Sequence, residues 1–432
     1  MHDVLDPRDI VPDEAEELAL SGYLIGDLHD RALAAAAADD LTALAQIELE
    51  LASVPRRADW PYDEPNDAAT LEAFFGGAPI LPVDSANLEG RIRGAWLGRA
   101  VANTLGKPIE GLTRAELAIY LAAAGQTPMR GYLPLIDPLP AGVSKLHPSA
   151  PGSSAGRFTD VPRDDDIDWT ILAMHVMEKY GRDFTTEQIA AEWLDRVPFT
   201  QTYTAERAAY RNLIGGITAP QTATVRNPYR EWIGALIRGD AFGFVNPGAP
   251  GAAARMAFTD ARLSHTGNGM YGELWAAALV AAALATDSAE VALRAAAQVV
   301  PPRSRLAEVL ADVQNLHDRG VDAEAALDWV DENLNQYSWV HTLNNAALIA
   351  IGLLWGEDFM GAVGLTIAGG RDTDSNGATV GSVFGALHGA SAIPAELVGT
   401  THVHVRSAVR DFDRVTIDEL VSRTMRLITV RE

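Results

Sequence analysis

The 432-residue chain predicts an all-α protein, and three observations carry that prediction. Hydrophobic residues make up 48% of it and gather in alanine-rich runs long enough for helices. Strand-like alternation of apolar and polar residues is rare. Two stretches also place small residues at every fourth position, the spacing of one helical ridge. They are Gly90, Gly94, Gly98, Ala102 and Gly106, then Gly377, Gly381, Gly385 and Gly389. Each interior glycine costs a helix about 1 kcal/mol against alanine, so close packing or a nearby site should compensate. The stripes therefore predict two helices in tight contact at the centre of a bundle. Membrane pairing, the usual use of such stripes, is opposed by Arg91, Arg93 and Arg99.

Composition narrows the function classes. The length allows one large domain or two. A formal charge of -24 argues against nucleic-acid or anionic-membrane partners, both of which demand basic surface, and suits a cation-binding protein. The absence of cysteine excludes disulfides, zinc-thiolate sites and thiol nucleophiles, and leaves the compartment open. The N-terminus, Met1-His2-Asp3-Val4-Leu5-Asp6, lacks the profile of a secretory signal. The longest apolar run, Leu274 to Ala285, is too short to span a bilayer. A soluble, cytoplasmic protein is expected, and the oligomeric state is left open.

Residues 1 to about 53 carry acidic helical signals, with Leu41, Leu44, Ile47 and Leu51 at helical spacing. This arm is expected to pack on something, and it holds no constellation assignable to chemistry. A proline-rich stretch follows, from Pro55 to Pro82. The division is thus an N-terminal helical extension and linker over 1–86 and a main domain over 87–432. The first stripe ends in Gly106-Lys107-Pro108-Ile109-Glu110, which sets Glu110 at its exit. Residues 125–160, rich in Pro, Gly and Ser, predict a long loop, and long ordered loops are often functional.

That loop delivers Arg163-Asp164-Asp165-Asp166-Ile167-Asp168, directly before a helical run. Aspartate at a helix start is favoured by capping and by the macrodipole, but four in five residues exceeds what a cap requires. Unless a cation sits among them they repel one another. The second acidic stretch is Gly369-Gly370-Arg371-Asp372-Thr373-Asp374-Ser375-Asn376-Gly377. In extended backbone residues two apart point the same way, so Asp372 and Asp374 would converge on one hard cation, with the Ser375 hydroxyl completing the oxygens. An EF-hand loop is excluded, because position twelve is Val383 where a bidentate glutamate is required. A solvated turn without metal is the bland alternative. The two clusters together have the chemistry of a dinuclear Mg or Mn site.

Three further stretches are less specific. His265, in Ser264-His265-Thr266-Gly267, reads as a hydrogen-bonded structural residue or an acid–base catalyst. The pair Asn344-Asn345 reads as caps or substrate contacts. Residues 287–335 read as ordinary surface helices, and the chain from Ile393 onward as a closing segment.

The striped run ending at Glu110, the aspartate triplet opening a helix, Ser264-His265 and Gly-Arg-Asp-Thr-Asp-Ser-Asn-Gly occur in an order that resembles the ADP-ribosylglycohydrolase family, over roughly residues 88 to 395. The resemblance implies a compact, orthogonal all-α bundle with a dinuclear Mg or Mn centre in a cleft. It sets Asp165 and Asp166 on the paired aspartates of the first metal motif and Asp164 on a threonine. It sets Asp372, Asp374 and Ser375 on the ligands of the second motif, and Glu110 on an acidic residue near the metals. Departures from the pattern are the aspartate at Asp164, the added Asp168, and Arg371 in place of a glycine, which could pair with the acidic cluster or with a substrate anion. The N-terminal 85 residues have no counterpart in the family core.

The implied reaction is metal-dependent hydrolysis of an N- or O-glycosidic bond to ribose or ADP-ribose, through an oxocarbenium-like state. Asp164, Asp165, Asp166, Asp372, Asp374 and Ser375 would hold the two ions. Glu110, Asp374 or Asp166 would orient or deprotonate the water, with Asp168, His265, Asn344 and Arg371 as substrate contacts. The substrate would be a small molecule or an ADP-ribosylated protein. Two alternatives stand beside this reading: a hydrolase of small unphosphorylated ribosides in the same fold, and a non-catalytic, crystallin-like relative.

Overall fold

The computed structural model describes residues 5–429, so the stretch Met1 to Val4 lies outside the described residues. Within them 21 α-helices account for almost all regular structure. One two-stranded antiparallel ribbon pairs His404–Val405 with Val415–Thr416. The all-α prediction holds. The core is built around helix Gly267–Ala283, every residue of which is buried. From Leu274 to Ala283 it is apolar on every side, as a helix enclosed by other elements must be, and its first two turns bury Asn268 and Glu273. No helix among the described residues is long and apolar enough to cross a membrane.

The two glycine stripes meet as expected. Helix Leu88–Gly106 packs along helix Thr373–His388 at backbone distance. A Cβ on Gly94 would lie 2.3 Å from the Gly385 carbonyl oxygen, and one on Gly106 would lie 2.2 Å from that of Thr373. Thr373 Oγ1 donates to the Gly106 carbonyl at 2.8 Å, where the two helices bring the acidic motifs together. Residues 124–149 form a long irregular connection, followed by one short helical turn, Ala150–Ser153.

The N-terminal residues form their own small core. Helices Pro7–Leu20, Leu28–Ala37 and Leu41–Leu51 bury Val11, Leu18, Leu44, Ile47 and Leu51 against one another. Polar contacts then tie this arm to the rest of the molecule. Tyr229 donates to Asp13 at 3.0 Å, Arg230 pairs with Glu14 at 2.6 Å, and Arg305 bridges Glu64 at 2.9 Å and Glu231 at 2.7 Å. Helices Ala289–Ala297, Arg305–Asp318 and Ala323–Leu334 each bury one face, as the reading of 287–335 as surface helices expects; Arg305, 3% exposed, is the exception. An arginine carries no helical-periodicity signal for burial; its place depends on two glutamates distant in sequence.

Candidate metal centre

The first acidic motif sits at the start of helix Asp165–Tyr180. Asp164 is its N-cap, and one carboxylate oxygen accepts from the Asp166 backbone N–H at 3.0 Å. The positive end of the helix favours this cluster of acids. Below it runs Arg99, wholly buried and paired with Asp240 at 2.9 Å, which donates through Nη2 to the Asp166 carbonyl at 2.6 Å. Asn103 donates to Asp166 Oδ2 at 2.9 Å. Helix Leu88–Gly106 thus holds both the backbone and the side chain of Asp166.

The second motif corrects the expectation of extended backbone. Asp372 is the N-cap of helix Thr373–His388, and Asp374 lies in its first turn. The two carboxylates converge through the helix start and not through strand alternation. Arg371 just before it stands at φ +66°, a left-handed backbone that arginine seldom adopts.

Two carboxylate triads result: Glu110 with Asp372 and Asp374, and Asp164 with Asp166 and Asp374. Within each triad, oxygen atoms lie within 4.8 Å of one another. Asp374 belongs to both. Ser375 Oγ donates to Asp166 Oδ2 at 3.4 Å and lines the same cleft. Asp165 also lines the cleft but joins neither triad. Burial first, and then the charge of Asp374, push the carboxyls of Glu110, Asp166 and Asp372 well above the usual carboxylate range. Asp166 Oδ1 is buried without a hydrogen-bond partner. A buried carboxyl oxygen left unpaired beside other carboxyl groups suits an oxygen-ligated metal ion, so these residues could hold one.

The cleft opens to solvent, and its walls are partly aromatic: Tyr203, Trp232 and Trp339. Paired asparagines brace the loop carrying Trp339. Asn344 donates to the Ser338 carbonyl at 2.9 Å, and Asn345 to those of Trp339 and His341, both at 2.9 Å. Neither asparagine caps the helix Thr342–Trp355: its N-cap is His341, whose ring accepts from the Leu343 N–H, and both asparagines sit in the first turn and tie it back to the preceding loop. On the opposite side His147 Nδ1 lies 3.0 Å from Glu110 Oε2.

Asp164, Asp165, Asp166, Asp372, Asp374, Ser375 and Glu110 therefore come together, and the expected substrate contacts do not. Asp168 is 1% exposed and turned away, accepting from Arg163 at 2.7 Å, Ser407 Oγ at 2.6 Å and Ala408 N at 3.0 Å. His265 is buried beside Ser264 Oγ at 2.8 Å, its Nε2 3.9 Å from Glu206 in the Arg238 network. Arg371 reaches Asp331 at 2.8 Å on the outer side, pairing with neither acidic motif. Asn344 serves its own loop. Sequence reasoning also missed Lys107, His147, Tyr203, Glu206, Trp232 and Trp339 as cleft residues. Lys107 alone had a signal, its place three residues before Glu110.

An all-helical bundle whose buried aspartates could hold metal ions is the class that this fold and cleft define. The ADP-ribosylglycohydrolase family model matches residues 84–431, and the chain belongs to that family. Among solved structures one match is an "ADP-ribosylglycohydrolase-related protein complex", at 20% identity and a TM-score of 0.45. It covers 80% of this chain and 100% of that one. No curated protein matches the sequence.

Proposed function

We propose that the protein is a metal-dependent glycohydrolase cleaving a glycosidic bond to ribose or ADP-ribose. The observation that carries this reading is the pair of carboxylate triads sharing Asp374 at the floor of an aromatic-walled cleft. Asp164, Asp166, Asp372, Asp374 and Glu110 would hold two Mg or Mn ions, with Asp165 and Ser375 beside them. Bound there, the ions supply Lewis acidity for the sugar hydroxyls and the attacking water. The chain's own residues do the rest. Trp232 and Trp339 offer faces against which a sugar or base can lie and from which water is excluded. Glu110, at the edge of the cleft beside Asp372 and Asp374, is the residue that takes a proton from the water. His147, at 3.0 Å, is placed to receive that proton or to orient the carboxylate.

A second reading, hydrolysis of an unphosphorylated riboside, is favoured by the charges in the cleft. Seven of its lining residues are acidic, and its lysine and arginine are already engaged, Lys107 by Asp164 and Arg163 by Asp168. Bound divalent ions would offset most of that charge, but the formal charge of -24 on the whole chain still does not steer a phosphate-rich substrate toward the cleft.

The test is release of ribose or ADP-ribose from ADP-ribosyl-arginine, ADP-ribosyl-serine, O-acetyl-ADP-ribose and common ribonucleosides, each with Mg, with Mn and with EDTA. Metal-dependent release from an ADP-ribosyl compound supports the first reading, and release from nucleosides alone supports the second. Release unaffected by EDTA contradicts both.

A further inference from the structure

Lys107 brings an ammonium group to a cleft whose acids otherwise call for metal. It begins the 3-10 turn Lys107–Ile109, which Pro108 stiffens and Glu110 ends. The turn has little freedom to move. Gly106 before it is pressed against the Thr373 backbone and accepts the Thr373 hydroxyl at 2.8 Å, while Ser149 Oγ donates to the Lys107 carbonyl at 3.3 Å. Lys107 itself is 7% exposed. Its ammonium contacts Asp164 Oδ2 directly and lies 3.9 Å from Asp374 Oδ2.

These are two of the three residues of one triad. Of the other triad, Glu110 with Asp372 and Asp374, only Asp374 comes within ion-pair distance; the ammonium's charge reaches Glu110 as well, but no oxygen of Glu110 or Asp372 is in direct contact with it. The two candidate ion positions are therefore unequal. A cation taking Asp164, Asp166 and Asp374 needs oxygens that Lys107 already engages, and it meets a fixed positive charge within a few ångströms.

We propose that Lys107 is an internal competitor for the second metal ion. This inference rests on the reading of the cleft as a metal centre. The Glu110 triad takes the first ion, and the Asp164 triad fills only when the ion displaces the lysine. The protein then passes from a one-ion to a two-ion form as divalent cation concentration rises, and Lys107 sets where that happens.

The experiment is calorimetric titration of EDTA-treated, dialysed full-length protein with MnCl2, with free Mn²⁺ counted in parallel by electron paramagnetic resonance. Wild type, Lys107→Met and Lys107→Arg are compared, each verified as folded by circular dichroism, with Lys107→Gln as the neutral variant should methionine disturb the turn. Wild type is expected to bind one ion tightly and a second at least about tenfold more weakly, and the neutral variant to tighten the second ion by at least about tenfold. Lys107→Arg keeps the wild-type spacing of the two constants. An unchanged or weaker second ion in the neutral variants overturns the competition. Absence of Mn²⁺ binding in all of them overturns the metal reading itself, a pattern distinct from the previous one.

Discussion

Gly98 and Gly381 face one another across the helix pair at the centre of the molecule, each occupying the space a side chain on the other would need. A Cβ on Gly98 would lie 2.1 Å from the Gly381 carbonyl oxygen, and one on Gly381 would lie 2.2 Å from that of Gly98. Because both neighbours are backbone, no rotamer change relieves the clash. Gly98→Ala or Gly381→Ala is expected to destabilise the fold by about 3 kcal/mol or more, despite alanine's better helix propensity. Thermal unfolding checks this, and a neutral or stabilising substitution would contradict the backbone contact.

The stripes, and the long connection before the first acidic cluster, were legible because both are local. Period and composition appear in a single stretch of chain. The ligand-side acids were legible for a related reason: four aspartates in five residues strain any purely structural explanation. What stayed hidden was tertiary. Arg305 is one of many helical arginines until Glu64 and Glu231 close on it from either side. Asp168 looks like part of the acidic cluster, yet two residues beyond Asp166, about 200° around the helix, it points towards Ser407, 239 residues away. Asp372 and Asp374 show how a right conclusion can rest on a wrong geometry: they do converge, but from a helix start. The family resemblance added Glu110, which local pattern could only place at the end of a stripe.

Asp168→Asn separates structure from site. It removes a charge that Arg163, Ser407 and Ala408 all address in a buried position. The expected loss is about 2–4 kcal/mol of stability, with Mn²⁺ affinity within about threefold of wild type. A variant of normal stability that fails to bind metal would return Asp168 to the cleft.

Arg305→Ala leaves Glu64 and Glu231 buried together without their cation. Breaking a buried pair in this way costs about 3–5 kcal/mol, to be read by denaturant unfolding. Removal of residues 1–83 takes away Glu64 and leaves Arg305 with Glu231 alone, and it also removes Asp13 and Glu14, which hold Tyr229 and Arg230. Because that segment continues into Trp232, the shortened protein is expected to keep its Mn²⁺ affinity and to show a raised KM. Loss of metal from it would mean that the arm supports the triads themselves.

Glu17 gives a pH signature remote from the site. Burial, reinforced by the charge of Glu231, pushes its carboxyl up to about 8 from an ordinary 4.5. Between those values the folded form holds a proton that the unfolded chain has released. Folding then takes up protons, and stability falls as pH rises through the window. Glu17→Gln lacks this dependence, so its melting temperature relative to wild type should climb from pH 5 to pH 8.5 and level off above that. A gap that does not change with pH would show that Glu17 is ionised throughout.

Asp374 is the residue on which the account turns, since it belongs to both triads. Equilibrium Mn²⁺ binding to wild type and to Asp374→Asn is the most direct test. The amide keeps the shape and one acceptor oxygen but removes the charge shared by the two ion positions. Wild type is expected to bind Mn²⁺, and the variant to lose at least about a hundredfold in affinity for both ions. Full metal binding by a folded Asp374→Asn protein would contradict it.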